Sequence, residues 1–132
     1  MPENLHIENA KGILDLVIQD ANVLTNTMFE RMQGKYWASI YLDENGNKKS
    51  PDLIQVDDNE FYIRYRIMPA MLCCTMGTIS ISGAEVDWKD YGVFKGLPPE
   101  LFLPWRNKVS YINPYLFGIT DAQSPDEKEK KI

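Results

Sequence analysis

The sequence predicts an α+β domain: one long N-terminal helix packed on an antiparallel β-meander of about five strands, then an extended arm rich in proline and aromatic residues. Three observations carry this expectation. Apolar residues recur at helical spacing up to Gln33, the period switches to two from Lys35, and Pro98, Pro99, Pro104 and Pro114 interrupt the last third. The helix is expected over about 5–33, the sheet over 35–91 and the arm over 92–120, all in one domain, with a charged disordered tail at 121–132.

The helix rests on its stripe. At 100° per residue, Ala10, Ile13, Leu14, Val17, Ala21, Leu24, Met28 and Met32 fall within an arc of about 100°, the width of a core-facing surface. Lys11, Asp15, Gln19, Asn22, Asn26 and Glu30 lie opposite, and Gly34 follows as a stop signal. Gly12 weakens the first turns by about 1 kcal/mol. The steps from Ala10 to Met28 are 4, 3, 4, 3 and 4, which is also the spacing of a helix–helix seam. No second long helical pattern receives it. The stripe therefore meets the chain's own sheet or, as the other option, a helix of a second subunit.

From Lys35 the alternation suggests strands. "KYWASIYLD" sets Tyr36, Ala38, Ile40 and Leu42 against Trp37, Ser39 and Tyr41, and Asn45-Gly46 is a hairpin-turn signal. "KKSPDLIQV" reads as the return strand, confined by Pro51 to an edge or bulge. "EFYIRYRI" places Phe61, Ile63, Tyr65 and Ile67 on one face and Tyr62, Arg64 and Arg66 on the other. A fourth strand is expected over Met71–Ser82 and a fifth at "AEVDWKDY". The arm is too apolar for a solvated linker, so it lies against its own domain or a partner.

Composition narrows the function. The 132 residues carry a net charge of −5 with no cluster of Lys and Arg, which argues against nucleic-acid binding. No apolar run approaches a membrane span, and the start lacks a basic segment followed by an apolar core. With two cysteines and no leader, a cytoplasmic location is expected, in a cell or host cell or within a particle assembled there.

The chemically suggestive stretch is "MPAMLCCTMG", with Cys73 and Cys74 among methionines. On a strand, Met71 and Cys73 face one way and Cys74 and Met76 the other, which splits any soft-metal ligand set. Cysteine and methionine both suit cores, so core packing is the expected role. The single histidine, His6, lies far along the chain, leaving no nucleophile–base pair. "DENGN" imitates the start of a calcium loop, but Lys48 stands where glycine is needed and Ile54 where glutamate is needed. Asp57, Asp58 and Glu60 read as a turn, and Glu85 with Asp87 as a solvated face. No catalytic residue, metal site or cofactor is expected.

Binding surfaces stand out more. Trp37, Tyr41, Tyr62, Arg64 and Arg66 would make an aromatic–arginine patch on the sheet's outer face, unless the arm covers it. Phe102, Trp105 and Tyr115 would give the arm its apolar contacts. These features point to a non-catalytic protein–protein binding module, a small subunit of a larger phage-like or secretion-like assembly. Its partner would be another protein or a second copy of the chain, with neither nucleic acid nor membrane. Two alternatives keep the same physics: an acidic inhibitor, immunity protein or chaperone for a basic partner, and a helix-on-sheet domain holding a small ligand or running a reaction. The latter would use a pocket lined by Met28, Met32, Tyr65 and Trp88.

Overall fold

A β-hairpin begins the chain where a helix was expected. In the computed structural model, which describes residues 2–117, β1 (Glu3–Asn9) and β2 (Gly12–Ile18) pair antiparallel from Glu3↔Ile18 to Asn9↔Gly12. The Asn9 side-chain oxygen accepts from the Lys11 N–H at 2.9 Å and braces the turn. Gly12 has φ +155°, and a Cβ there would meet the Ser80 carbonyl oxygen at 2.3 Å. It is the point where the hairpin passes β3, not a weak spot in a helix. Leu14, Leu16 and Ile18 are buried at period two, whereas the expected helical stripe through Ala10, Ile13 and Val17 is not.

Asn22 starts α1 (Val23–Tyr41). Its side chain accepts from the Thr25 N–H at 2.9 Å while Thr25 Oγ1 receives the Asn22 N–H at 2.6 Å, a reciprocal cap. The inward positions Thr25, Phe29, Met32, Tyr36 and Ile40 keep helical spacing straight through the segment that alternates in sequence. Beyond the helix, the Asn45-Gly46 turn forms, held by the Asp43 carboxylate accepting from the Asn45 and Asn47 N–H groups at 2.9 Å each. It carries a single bridge, Leu42↔Lys48, so the two strands expected beside it are absent.

The segment expected to be the third strand is also helical. Asp57 caps α2 (Asp58–Tyr62), which runs through a π-helical turn (Ile63–Ile67) into α3 (Met68–Cys74). The alternation of Phe61, Ile63, Tyr65 and Ile67 contains two i,i+4 pairs on different sides of a helix. Phe61 and Tyr65 stack at 4.9 Å, and Phe61 meets Tyr36 of α1 at 5.7 Å. Ile63 and Ile67 instead line a cavity with Phe94, Leu97 and Phe102. A helix covered on two sides thus imitates strand periodicity.

α3 is buried nearly all round, including Met71, Cys73 and Cys74. The chain turns directly into β3 (Thr75–Ile81), which pairs antiparallel with β2 from Ile18↔Thr75 to Ile13↔Ser80. Ser82 and Gly83, both at positive φ, make the turn to β4 (Ala84–Glu85). The sheet is four-stranded and antiparallel, in the order β1-β2-β3-β4. The expected fifth strand is cut to the two residues of β4, and the expected fourth strand starts as the end of α3 and continues as β3.

The last third folds as helix, not as an extended arm. Asp90 caps α4 (Tyr91–Lys95), and Pro99 sits in the first turn of α5 (Pro99–Ile112), where its missing N–H does no harm. A 3₁₀ turn over Pro114–Phe117 ends the described chain. α5 lies on the inner sheet face, burying Leu101, Trp105 and Val109 against Leu14, Leu16, Ile18 and Ile79. Asn113, itself buried, locks this end: its amide accepts from the Ala21 N–H and donates to the Gln19 carbonyl at 2.7 Å. Trp105 is wholly buried, its Nε1–H donating to Thr75 Oγ1 at 2.9 Å. The tail expected at 121–132 and the last three residues of the expected arm lie outside the described residues. No helix among the described residues is long and apolar enough to cross a membrane.

Candidate functional site

Helix α1 places the expected patch residues on different sides of itself. Trp37 and Tyr41, one turn apart, face outward with ring centroids 5.0 Å apart, and Trp37 is 42% exposed. Their side of α1 is turned away from α3. Val23, Leu24 and Met28, nearer the N-terminus of the helix, are exposed as well.

Arg64 belongs to a separate cluster. Its guanidinium sits over the Tyr36 ring and over the Tyr91 ring, 4.7 Å from each centroid, and 3.9 Å from the Glu60 carboxylate. Burial pushes both phenols up, with Glu60 adding to the shift and the Arg64 charge opposing it. The two rings fix the guanidinium plane, while the Glu60 contact is long and half exposed. Tyr62 is exposed and Arg66 half-buried on the same helical run.

The arm residues divide. Trp105 is in the core, edge-on to Trp88 at 5.3 Å and to Phe94 at 5.6 Å. Phe102 is half-buried against Phe94 at 5.6 Å. Only Tyr115 of the three projects into solvent, joined by Tyr111 of α5. The structure therefore brings Trp37 and Tyr41 together and does not place Tyr62, Arg64 and Arg66 with them on a sheet face. That Tyr36 and Tyr91 hold Arg64 leaves no mark in the sequence, because nothing local links positions so far apart along the chain.

The sulfur-rich stretch is packing. Cys73 Sγ lies 3.5 Å from Met32 Sδ, and burial pushes the Cys73 thiol up to about 11. Burial, helped by the Cys73 and Asp20 charges, pushes Cys74 up to about 12. Both stay thiols at neutral pH, which opposes a nucleophilic role. Among the described residues no group of three or more His, Cys, Asp or Glu side chains could hold a metal ion. His6 Nδ1 faces Asp15 at 3.8 Å across β1 and β2, both side chains well exposed. Asp43, the first residue of the calcium-like run, spends its carboxylate on the turn N–H groups.

Comparison of the chain with protein families, with curated proteins and with solved structures gives no match.

Proposed function

We propose that this protein is a non-catalytic protein–protein binding module, a small subunit of a larger assembly. One observation carries the reading: α1 presents Val23, Leu24, Met28 and Trp37 to solvent along most of its length. Large apolar side chains exposed on two flanks of one helix, Val23 with the Trp37–Tyr41 pair and Leu24 with Met28, are the residue types of an interface core. The chemistry of the described residues fits the same role. Its one histidine is on the open sheet face, its thiols are protonated, and Arg64 is held by two tyrosine rings. The partner is another protein or a second copy of the chain.

The test is hydrogen–deuterium exchange on the tagged chain, free and as isolated with whatever it binds in its native source. Slowed exchange over Val23–Tyr41 in the isolated complex, lost in a Leu24→Glu/Trp37→Glu variant, is the expected result. Recovery of a lone monomer whose α1 exchanges as fast as in the free chain would overturn the reading.

A further inference from the structure

Two depressions follow one another along the flank of α1 that faces away from Trp37. The first, about 290 Å³, is lined by Met28, Arg31, Met32 and Lys35. The second, about 270 Å³, shares Met32 and Lys35 and adds Tyr36, Ser39, Arg64, Met68 and Pro69. Together they form one shallow trough from Met28 to Ser39, about 17 Å long at the helical rise of 1.5 Å per residue. Its floor is methionine and proline. Its walls carry three cations and no carboxylate.

That charge is the informative feature. The chain as a whole is acidic, at −5, yet the charged residues that line this trough are all cations, with Glu60, 3.9 Å from Arg64, as the neighbouring carboxylate. Arg64 is fixed before any partner arrives, gripped by Tyr36 and Tyr91, and its long contact with Glu60 leaves guanidinium N–H groups for a second carboxylate. Met28, exposed, and Met32, half-buried, give a surface that repacks around varied apolar side chains, with the edge of the buried Met68 at its floor. The shape is open and elongated, which suits a polypeptide better than an enclosed small molecule.

We infer that this trough binds an acidic amphipathic peptide segment of a partner protein, its carboxylates on Arg31, Lys35 and Arg64 and its apolar side chains on Met28, Met32 and Met68. The inference rests on the binding-module reading and gives the partner its chemistry. It also reverses the sign expected for an acidic inhibitor, since here the acidic chain offers a basic groove.

The probe is a fluorescein-labelled peptide of four Glu-Glu-Leu-Leu repeats, with a Lys-Lys-Leu-Leu counterpart as control, titrated into the full chain and followed by anisotropy. Methyl resonances of the methionines locate the contact. The acidic peptide is expected to bind, more weakly as salt rises, and to shift the Met28, Met32 and Met68 methyls. Lys35→Glu, at an exposed position that leaves the core untouched, is expected to weaken it about tenfold, and Arg31→Glu similarly. Equal or tighter binding of the lysine peptide, binding that leaves those three methyls unmoved, or preference for phosphatidylglycerol vesicles would each overturn the inference. If the peptide fails to bind while the native complex still protects α1 from exchange, this inference falls and the binding-module reading stands. If no complex protects α1, the module reading itself falls.

Discussion

Gln33 donates its side-chain N–H to the Tyr65 carbonyl at 2.7 Å, and the contact fills a gap that Pro69 creates. Four residues after Tyr65, proline has no N–H to give, so that carbonyl loses its ordinary helical partner. The π-helical turn over Ile63–Ile67 lets the backbone pass the ring, and α1 supplies the missing donor. The same device recurs in α5. Pro104 leaves the Glu100 carbonyl without its partner, and the Asn9 side chain donates to it from the β-hairpin at 3.3 Å.

Replacing Gln33 with leucine is therefore expected to cost about 1–3 kcal/mol, the range for orphaning a sheltered acceptor. In a Pro69→Ala background, where alanine restores the N–H, the same change should cost less than about 0.5 kcal/mol. Urea unfolding of the four proteins in the cycle measures the coupling. Equal losses in both backgrounds would disprove the account.

Two glycines should respond oppositely to alanine. Gly12→Ala drives a Cβ to 2.3 Å from the Ser80 carbonyl oxygen and 3.0 Å from Leu101, so a loss above about 2 kcal/mol is expected. Gly34, inside α1, has nothing within 4 Å of the added Cβ. Gly34→Ala should raise stability by about 0.5–1 kcal/mol through helix propensity alone. Thermal unfolding monitored by circular dichroism distinguishes the two signs.

Two tryptophans should also part company. Trp105→Ala removes a fully buried indole and its hydrogen bond to Thr75, an expected loss of about 3–5 kcal/mol. Trp37→Ala, at a position 42% exposed, should cost less than about 1 kcal/mol while abolishing the α1 protection expected in a complex. A Trp37→Ala protein that unfolds as readily as Trp105→Ala would mean that the outward aromatic pair serves stability instead.

Alkaline pH should destabilise the fold. The thiols of Cys73 and Cys74 rise from 9.0 to about 11 and about 12 on folding, and burial raises the Tyr36 and Tyr91 phenols from 10.0. The folded chain thus holds these protons more tightly than the unfolded chain. Their contribution is complete below about pH 9 and is lost as pH climbs through the folded values. The urea midpoint should stay level from pH 7 to 8.5 and fall above 9, with a shallower fall in Cys74→Ala. An identical fall in wild type and variant would remove the thiols from the explanation.

The α+β class, the antiparallel sheet and the Asn45-Gly46 turn were legible in the sequence, but most element boundaries were not. Leu14, Leu16 and Ile18 at period two were masked by Ala10, Leu14, Val17 and Ala21, which trace a helix-like seam over the same residues. Asn9 and Gly12, flanking a two-residue turn, were the available signal that a hairpin competes there. The reverse error at Phe61–Ile67 came from a helix contacted on two sides, whose paired i,i+4 positions alternate like a strand. At Pro104 the ring is tolerated mid-helix because Asn9, ninety-one residues from Glu100, donates to the freed Glu100 carbonyl. Such long-range compensation has no local trace. For the same reason Trp37 and Arg64, credited with sharing a sheet face, ended on different sides of α1.

β2 waits a long time for its neighbour. Its pairing from Ile18 to Thr75 spans the entire α1-to-α3 excursion, whereas β1 and β2 close across two residues. During synthesis the hairpin therefore emerges with its inner strand unmated on one side, carrying Leu14, Leu16 and Val17, until β3 leaves the ribosome. Completing the sheet demands a high-contact-order closure, so that step, not hairpin formation, should govern how fast the molecule matures and when it is open to mispairing.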